Sequence, residues 1–265
     1  MKILYIGDVM GEAGIAIVEK LLAGIVQEHA VDVVIAQAEN VSEGKGFTTT
    51  DYERLKNAGI HAFTGGNWTM HLDETHALLE DEEIAVTRPA NYPEGTPGKS
   101  YKILPTAHGN VLLVSLLGSI VGKDADKLVD NPLTCIDRIL NETQNTEFEA
   151  VVINFHGDFS SEKVVIGHYL DGRATAVIGD HWHVPTADAR VLPNGTAHVT
   201  DVGMCGSLNS SLGVKFDSVI PRWRDSIQTR NVLEMSGDMQ FNAVLIETDT
   251  VTKRAKSIVQ LRIII

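Results

Sequence analysis

Six short and mainly apolar runs frame this chain: residues 2–7 (KILYIG), 31–36 (VDVVIA), 60–63 (IHAF), 111–117 (VLLVSLL), 150–155 (AVVINF) and 174–179 (ATAVIG). Runs this short, bounded by glycine or polar residues, read as buried strands. Between the first two, Ile15, Val18, Leu21, Leu22, Ile25 and Val26 recur at helical spacing over residues 13–29. Residues 50–58 read as a helix preceded by capping threonines and closed by Gly59. Further helices are predicted at 132–141, with Pro132 in the first turn, and at 161–170. Strands alternating with helices imply right-handed βαβ units and a largely parallel sheet. The late segments 240–246 and 255–263, around a polar turn, read as an antiparallel hairpin. The expectation is an α/β fold of two packed sheets with helices outside. At 265 residues, with no repeat, low-complexity tract or linker, the chain suits a single domain over 1–265.

Charge narrows the function. The chain carries 35 Asp+Glu against 22 Lys+Arg, a formal net charge of −13. Such a field repels polyphosphate, which argues against a duplex nucleic-acid groove binder or an anionic-membrane anchor. A small phosphorylated substrate is still compatible, because a bound metal reverses the sign locally. Cys135 and Cys205 have no CxxC spacing, so neither a disulfide framework nor a cysteine zinc site is expected. The opening apolar run meets Asp8 at once, and no stretch approaches 18 apolar residues. The expectation is a soluble, cytoplasmic protein with no membrane partner. Residues 88–101 hold Pro89, Pro93 and Pro97 and form a long loop. There Arg88, Asn91 and Tyr92 are candidates for substrate contact, against the alternative of a proline-stiffened structural loop. The hairpin offers an edge strand, so a homo-oligomer is compatible with the sequence.

The polar residues gather where the strands end. The runs deliver Asp8, Glu39–Asn40, Asn67, His156, and the His181/His183 pair of GDHWH. Ligands of α/β sheets bind at the carboxyl ends of strands. Singly, each has an ordinary reading: Asp8 as a helix cap, Glu39–Asn40 as a loop pair, Asn67 as a turn residue. Together they supply carboxylate, amide and imidazole ligands to one rim. His181 and His183, two apart, would point to the same side of an extended segment. Mixed nitrogen and oxygen donors suit Mn, Fe, Zn or Co better than Mg or Ca. Two such ions clamp a phosphoryl oxygen and activate a water.

The order GD (7–8), AEN (38–40), GGN (65–67), FH (155–156) and GxHxH (179–183) resembles the calcineurin-like metallophosphoesterase superfamily. More narrowly, GDVMG, AENVSEGKGFT, RPANYPEGTPGKSY, SEKVVIGHYLDGR and HVPTADARVLPNGTAHVTDVGM resemble the YmdB-like bacterial phosphodiesterases, over nearly the whole chain. The resemblance implies a four-layer α/β/β/α sandwich and a dinuclear centre, iron or manganese, with zinc, cobalt or magnesium as alternatives. It implies that Asp8 and His183 bind the first metal, that Glu39 bridges, and that Asn67, His156 and His181 complete the second. Asn40 would sit beside the bridge, touching the substrate or a metal-bound water. The implied activity is hydrolysis of small phosphodiesters, cyclic nucleotides among them, by metal-bound hydroxide attack at phosphorus.

This chain departs from the family pattern at three places. The family's GNH is Gly66-Asn67-Trp68 here, and an indole cannot transfer a proton at neutral pH. His71, three residues on, is the candidate substitute for the missing acid. Asn154 stands where the family more often has Asp, and Gly157-Asp158 replaces a small-acidic pair. Trp68 also motivates a different class of function: a regulatory protein that binds metal and nucleotide, stacking a base on the indole with little catalysis. A metal-free α/β nucleotide binder is disfavoured, because GDVMGEAG lacks the spaced-glycine fingerprint and no P-loop is present.

Overall fold

The computed structural model describes residues 1–122 and 125–265. The first sheet is built on β1 (Lys2–Ile6), which pairs in parallel with β3 (Val33–Gln37) and antiparallel with β12 (Met239–Thr248). Beyond β3 lies β4 (Ala62–Thr64), also parallel. β12 also pairs with β13 (Ala255–Ile264) and with β11 (Met204–Ser207), and β11 carries β2 (Asp8–Val9). The second sheet runs β5 (Lys102–Thr106), β6 (Gly109–Leu117), β7 (Ala150–His156), β8 (Ala176–Asp180), β10 (Ala197–Val199), β9 (Arg190–Val191). Its strands β6, β7, β8 and β10 are parallel to their neighbours in that series, and its two outer pairs are antiparallel. Both sheets are therefore mixed, and the terminal hairpin forms as the sequence predicts.

Parity explains why the strands are continuous apolar runs. Side chains alternate across a strand, so one buried on both faces is apolar at every position. In β1, Ile3 and Tyr5 enter the core between the sheets, while Leu4 and Ile6 face the helices. β3 repeats this with Val33 and Ile35 inward, and Val34 and Ala36 outward. Helix α1 (Gly11–His29) covers the outer face with Ile15, Val18 and Leu22, joined by Tyr52 and Leu55 of α2 (Thr49–Asn57) and Leu78 of α3 (Asp73–Glu80). On the second sheet, Leu112, Val114, Ile153 and Phe155 pack under α4 (Pro132–Glu142) and α5 (Ser160–Tyr169). The result is the four-layer α/β/β/α sandwich. A sixth helix, α6 (Phe216–Asp225), joins Met10 and Met204 through Val219. Among the described residues no helix is long and apolar enough to cross a membrane.

The parallel strands β1, β3, β4, β7 and β8 deliver their carboxyl ends to one rim. Two devices bring the sheets together there. Tyr5 Oη crosses from the first sheet to Asp180 Oδ2 on the second, at 3.1 Å, and Gln37 Nε2 reaches the same oxygen at 3.0 Å. Glycine at 179 lies inside β8, because a Cβ there would stand 1.9 Å from the Thr200 carbonyl oxygen.

Candidate metal centre

Asp8, Glu39, Asn40, Asn67, His156 and His183 are all buried at this rim, and His181 is partly buried. They form two linked groups. In one, Asn40 Nδ2 donates to Asp8 Oδ1 at 3.0 Å and lies 3.3 Å from His183 Nε2, which is 3.8 Å from Asp8 Oδ2. In the other, His156 Nε2 lies 3.0 Å from Glu39 Oε1 and 2.8 Å from Asn67 Oδ1, and the His181 ring sits 4.4 Å from the His156 ring. Asn40 Nδ2 also reaches Glu39 Oε1 at 3.3 Å and so joins the two groups. Ligand atoms of Glu39, His156 and His181 all lie within 4.8 Å of one another, as do those of Asp8, His156 and Asp180.

The histidine tautomers follow from their outer partners. His156 Nδ1 is 2.7 Å from Asp180 Oδ1, and His183 Nδ1 is 3.3 Å from the Leu212 carbonyl. A proton kept on each Nδ1 would free both Nε2 lone pairs for an ion, the usual state of a metal-binding imidazole. Electrostatics fit a cation as well. Burial, reinforced by Asp180 and Glu39, pushes the Asp8 carboxyl up to about 7 against the pull of His183. Burial also opposes charge on Glu39 and on His156, yet each outweighs it for the other. Glu39 is held below, and His156 well above, its ordinary value. Burial and the charge of His156 push His181 down to about 4. Three buried carboxylates thus share too little positive charge, a condition that a metal ion relieves. Space is kept by Gly66, where a Cβ would stand 2.5 Å from Glu39 Oε2 and 2.6 Å from the His156 ring.

The histidine pair arrives by a different route from the one expected. Residues 181–183 are not extended: His181 has φ 102° and His183 φ 62°, both in the left-handed region. Each such residue costs about 1–3 kcal/mol and persists only where its surroundings fix it. Here the fixing group is Lys163, fully buried on α5, whose Nζ donates to the Asp180 carbonyl and, at 2.9 Å, to Asp201 Oδ2. Asp201 in turn accepts from Trp182 N at 2.9 Å and Gly203 N at 2.9 Å. The loop is thus clamped from beneath.

The other expected site residues fall differently. Trp68 N donates to Glu39 Oε2 at 2.8 Å, while its indole is only partly buried and meets the His71 ring edge-on at 5.4 Å. Lys127 Nζ donates to the Asn67 carbonyl at 2.7 Å. Tyr92 Oη lies 3.4 Å from the Gly66 carbonyl and so braces the turn that carries Asn67. Arg88 and Asn91 turn their side chains to backbone groups. The Arg88 guanidinium donates to the carbonyls of Pro89, Thr96 and Pro97. The Asn91 amide bonds Leu117 and Asp130. Both staple the loop, which proline residues deprive of backbone donors.

Two carboxylates escaped the sequence reading. Asp180 binds His156 and accepts from Tyr5, Gln37 and, at 2.5 Å, Asn154 Nδ2. With Oδ2 taken by three donors and Oδ1 against His156 Nδ1, it orients the His156 ring. Asp158, noted only as a departure, lies 3.2 Å from His181 Nε2 and accepts from Val121 N at 2.6 Å.

This geometry has relatives. A family model described as YmdB-like protein matches residues 4–261. A 2',3'-cyclic-nucleotide 2'-phosphodiesterase from Bacillus subtilis is 37% identical over 259 residues, which cover 97% of this chain and 95% of the relative. A crystal structure of a hypothetical protein from Thermus thermophilus superposes with a TM-score of 0.90 at 36% identity, covering 100% of this chain and 99% of the other. A structure described as a novel phosphatase from Mycoplasma pneumoniae gives a TM-score of 0.92 at 28% identity, covering 100% and 93%. With the family model spanning almost the whole sequence and a relative this similar along its length, the chain belongs to the YmdB-like family.

Proposed function

We propose that this chain is a phosphoric diester hydrolase that uses two metal ions to cleave small phosphodiesters, cyclic nucleotides among them. The observation that carries the reading is the convergence of two carboxylates, two amides and three imidazoles from five separate stretches of backbone, with contacts of 2.8–3.8 Å and His181 within 4.8 Å of Glu39 and His156. The activity named for the Bacillus subtilis relative supports it. Asp8 and His183 would hold one ion, Asn67, His156 and His181 the other, with Glu39 between them; iron or manganese suits these donors. Such ions, when bound, supply positive charge for the phosphoryl oxygens and for activating water.

The chain's own groups do the rest. Asp180 fixes the His156 ring, and the backbone N–H of Trp68 fixes Glu39. Asn40 Nδ2, between Asp8 and Glu39, is the amide best placed to donate to a phosphoryl oxygen. With Trp68 unable to give a proton, the departing oxygen is served by water or by His71, whose ring rests on the indole. Diesters with good leaving groups should therefore be the better substrates.

A second reading keeps the metals and the nucleotide but little hydrolysis, favoured by the partly exposed indole of Trp68 as a stacking surface. Elemental analysis of the purified protein, paired with assays on bis-nitrophenyl phosphate and 2',3'- and 3',5'-cyclic nucleotides, separates the two. Bound metal with turnover supports the hydrolase; bound metal and nucleotide with no turnover supports the binding protein.

A further inference from the structure

A groove of about 700 Å³ opens between the start of α1, the segment after Asn40, the turn carrying His71 and residues 233–235. That volume lies within the roughly 300–1,000 Å³ of sites that enclose small organic ligands. The groove adjoins the candidate metal centre in two ways. Val41 and Ser42 follow Glu39 and Asn40 directly, and His71 packs against Trp68, whose backbone holds Glu39. Its apolar lining comes from Ile15, Val41, Leu72, Leu233 and Met235.

Its charges are arranged unevenly. Glu12 is spent on Arg54, with nitrogen–oxygen distances of 2.6 and 2.8 Å, and Asp51 accepts from the hydroxyls of Ser42 and Thr48 at 2.6 and 3.0 Å. Glu43, the remaining carboxylate, is exposed. Lys45 has no carboxylate partner among the described residues; its Nζ sits 4.1 Å above the Trp68 ring. In a chain with 35 acidic and 22 basic residues, a cation left on an aromatic face beside a cleft is a contact for an anion. An apolar lining with one uncommitted ammonium matches a ring that carries a charged group.

We propose that this groove is a substrate subsite for a nucleoside bearing a second phosphate, with the Lys45 ammonium as the contact for that phosphate. The inference deepens the phosphodiesterase reading and rests on it: one phosphate lies at the metals and the other in the groove. It makes linear nucleotides with a terminal phosphate better ligands than those without one.

Calorimetric titration of the manganese-loaded protein with adenosine 3',5'-bisphosphate and with adenosine 3'-monophosphate tests this. The wild type should bind the bisphosphate about tenfold or more tightly, the effect of one charge-assisted hydrogen bond. Lys45→Ala should erase that preference. Met235→Trp, which fills the groove from an exposed position, should weaken both ligands. A wild type without the preference, including one that binds neither nucleotide, overturns the proposal, and so does a preference that survives in Lys45→Ala. Bis-nitrophenyl phosphate assayed on the same preparation separates the two readings. A Lys45-dependent preference without hydrolysis keeps the subsite and discards the hydrolase.

Discussion

Segments 39–48 and 88–101 look alike in sequence, both irregular, polar and interrupted by glycine, yet they use their side chains in opposite ways. The first closes on itself through the backbone: Gly46 N bonds the Glu39 carbonyl, Ser42 N bonds Gly46, and Lys45 N bonds Ser42. Its side chains are then left for chemistry, with Glu39 and Asn40 at the metal cluster and Lys45 on the indole. The second closes two turns, Tyr92 N on the Pro89 carbonyl and Thr96 N on the Pro93 carbonyl, but its three prolines have no N–H to give. Arg88 donates to the loop's own Pro89, Thr96 and Pro97 carbonyls, and Asn91 ties the loop to Leu117 and Asp130.

Mutations on the two sides should separate cleanly. Glu39→Ala removes the carboxylate shared by both halves of the cluster and is expected to abolish metal loading, read by elemental analysis; full occupancy would break the contrast. Asp180→Asn keeps the volume but loses the charge behind His156. Metal affinity should drop about 10–100-fold, the usual effect of an outer carboxylate on a ligating histidine, measured by competition with a chelating dye. Trp68→His should raise turnover on poor leaving groups by about tenfold, because it supplies a proton donor. Unchanged rates in a folded, metal-loaded Trp68→His variant would remove that role. Arg88→Ala should affect the site least. It orphans three carbonyls and should cost about 2–4 kcal/mol, seen as a lower melting temperature, while metal content stays at the wild-type level.

Much of this architecture can be read along the chain, and the unread part has a physical pattern. β1, β3, β6, β7 and β8 are legible because burial on both faces writes them as apolar runs. β10 and β11 are too short to leave a period, and α6 carries Pro221 inside it, which reads as a break. At the site, a strand end followed by Asp, Glu, Asn or His is a local signal. Asp180 carries it too, directly after the 174–179 run, but its role is set by partners as distant as Tyr5, 175 positions away, which nothing local shows. The left-handed backbone at His181 and His183 is equally silent: neither is a glycine, and the groups that hold the loop, Lys163 and Asp201, sit on other elements.

The central position of β1 has a consequence for biosynthesis. Its residues 2–6 are matched on one edge by β3 but on the other by residues 243–247 of β12, and the Met1 carbonyl accepts from Thr248 N. A ribosome elongating at about 5–20 residues per second therefore leaves the first strand half-satisfied for on the order of 10–50 s. Until that late strand emerges, Gly7, beside Asp8, lacks the Asn242 carbonyl to which its N–H donates. A nascent chain halted before it would be expected to depend on chaperones and to lack any competent centre, however much of its length had already been translated.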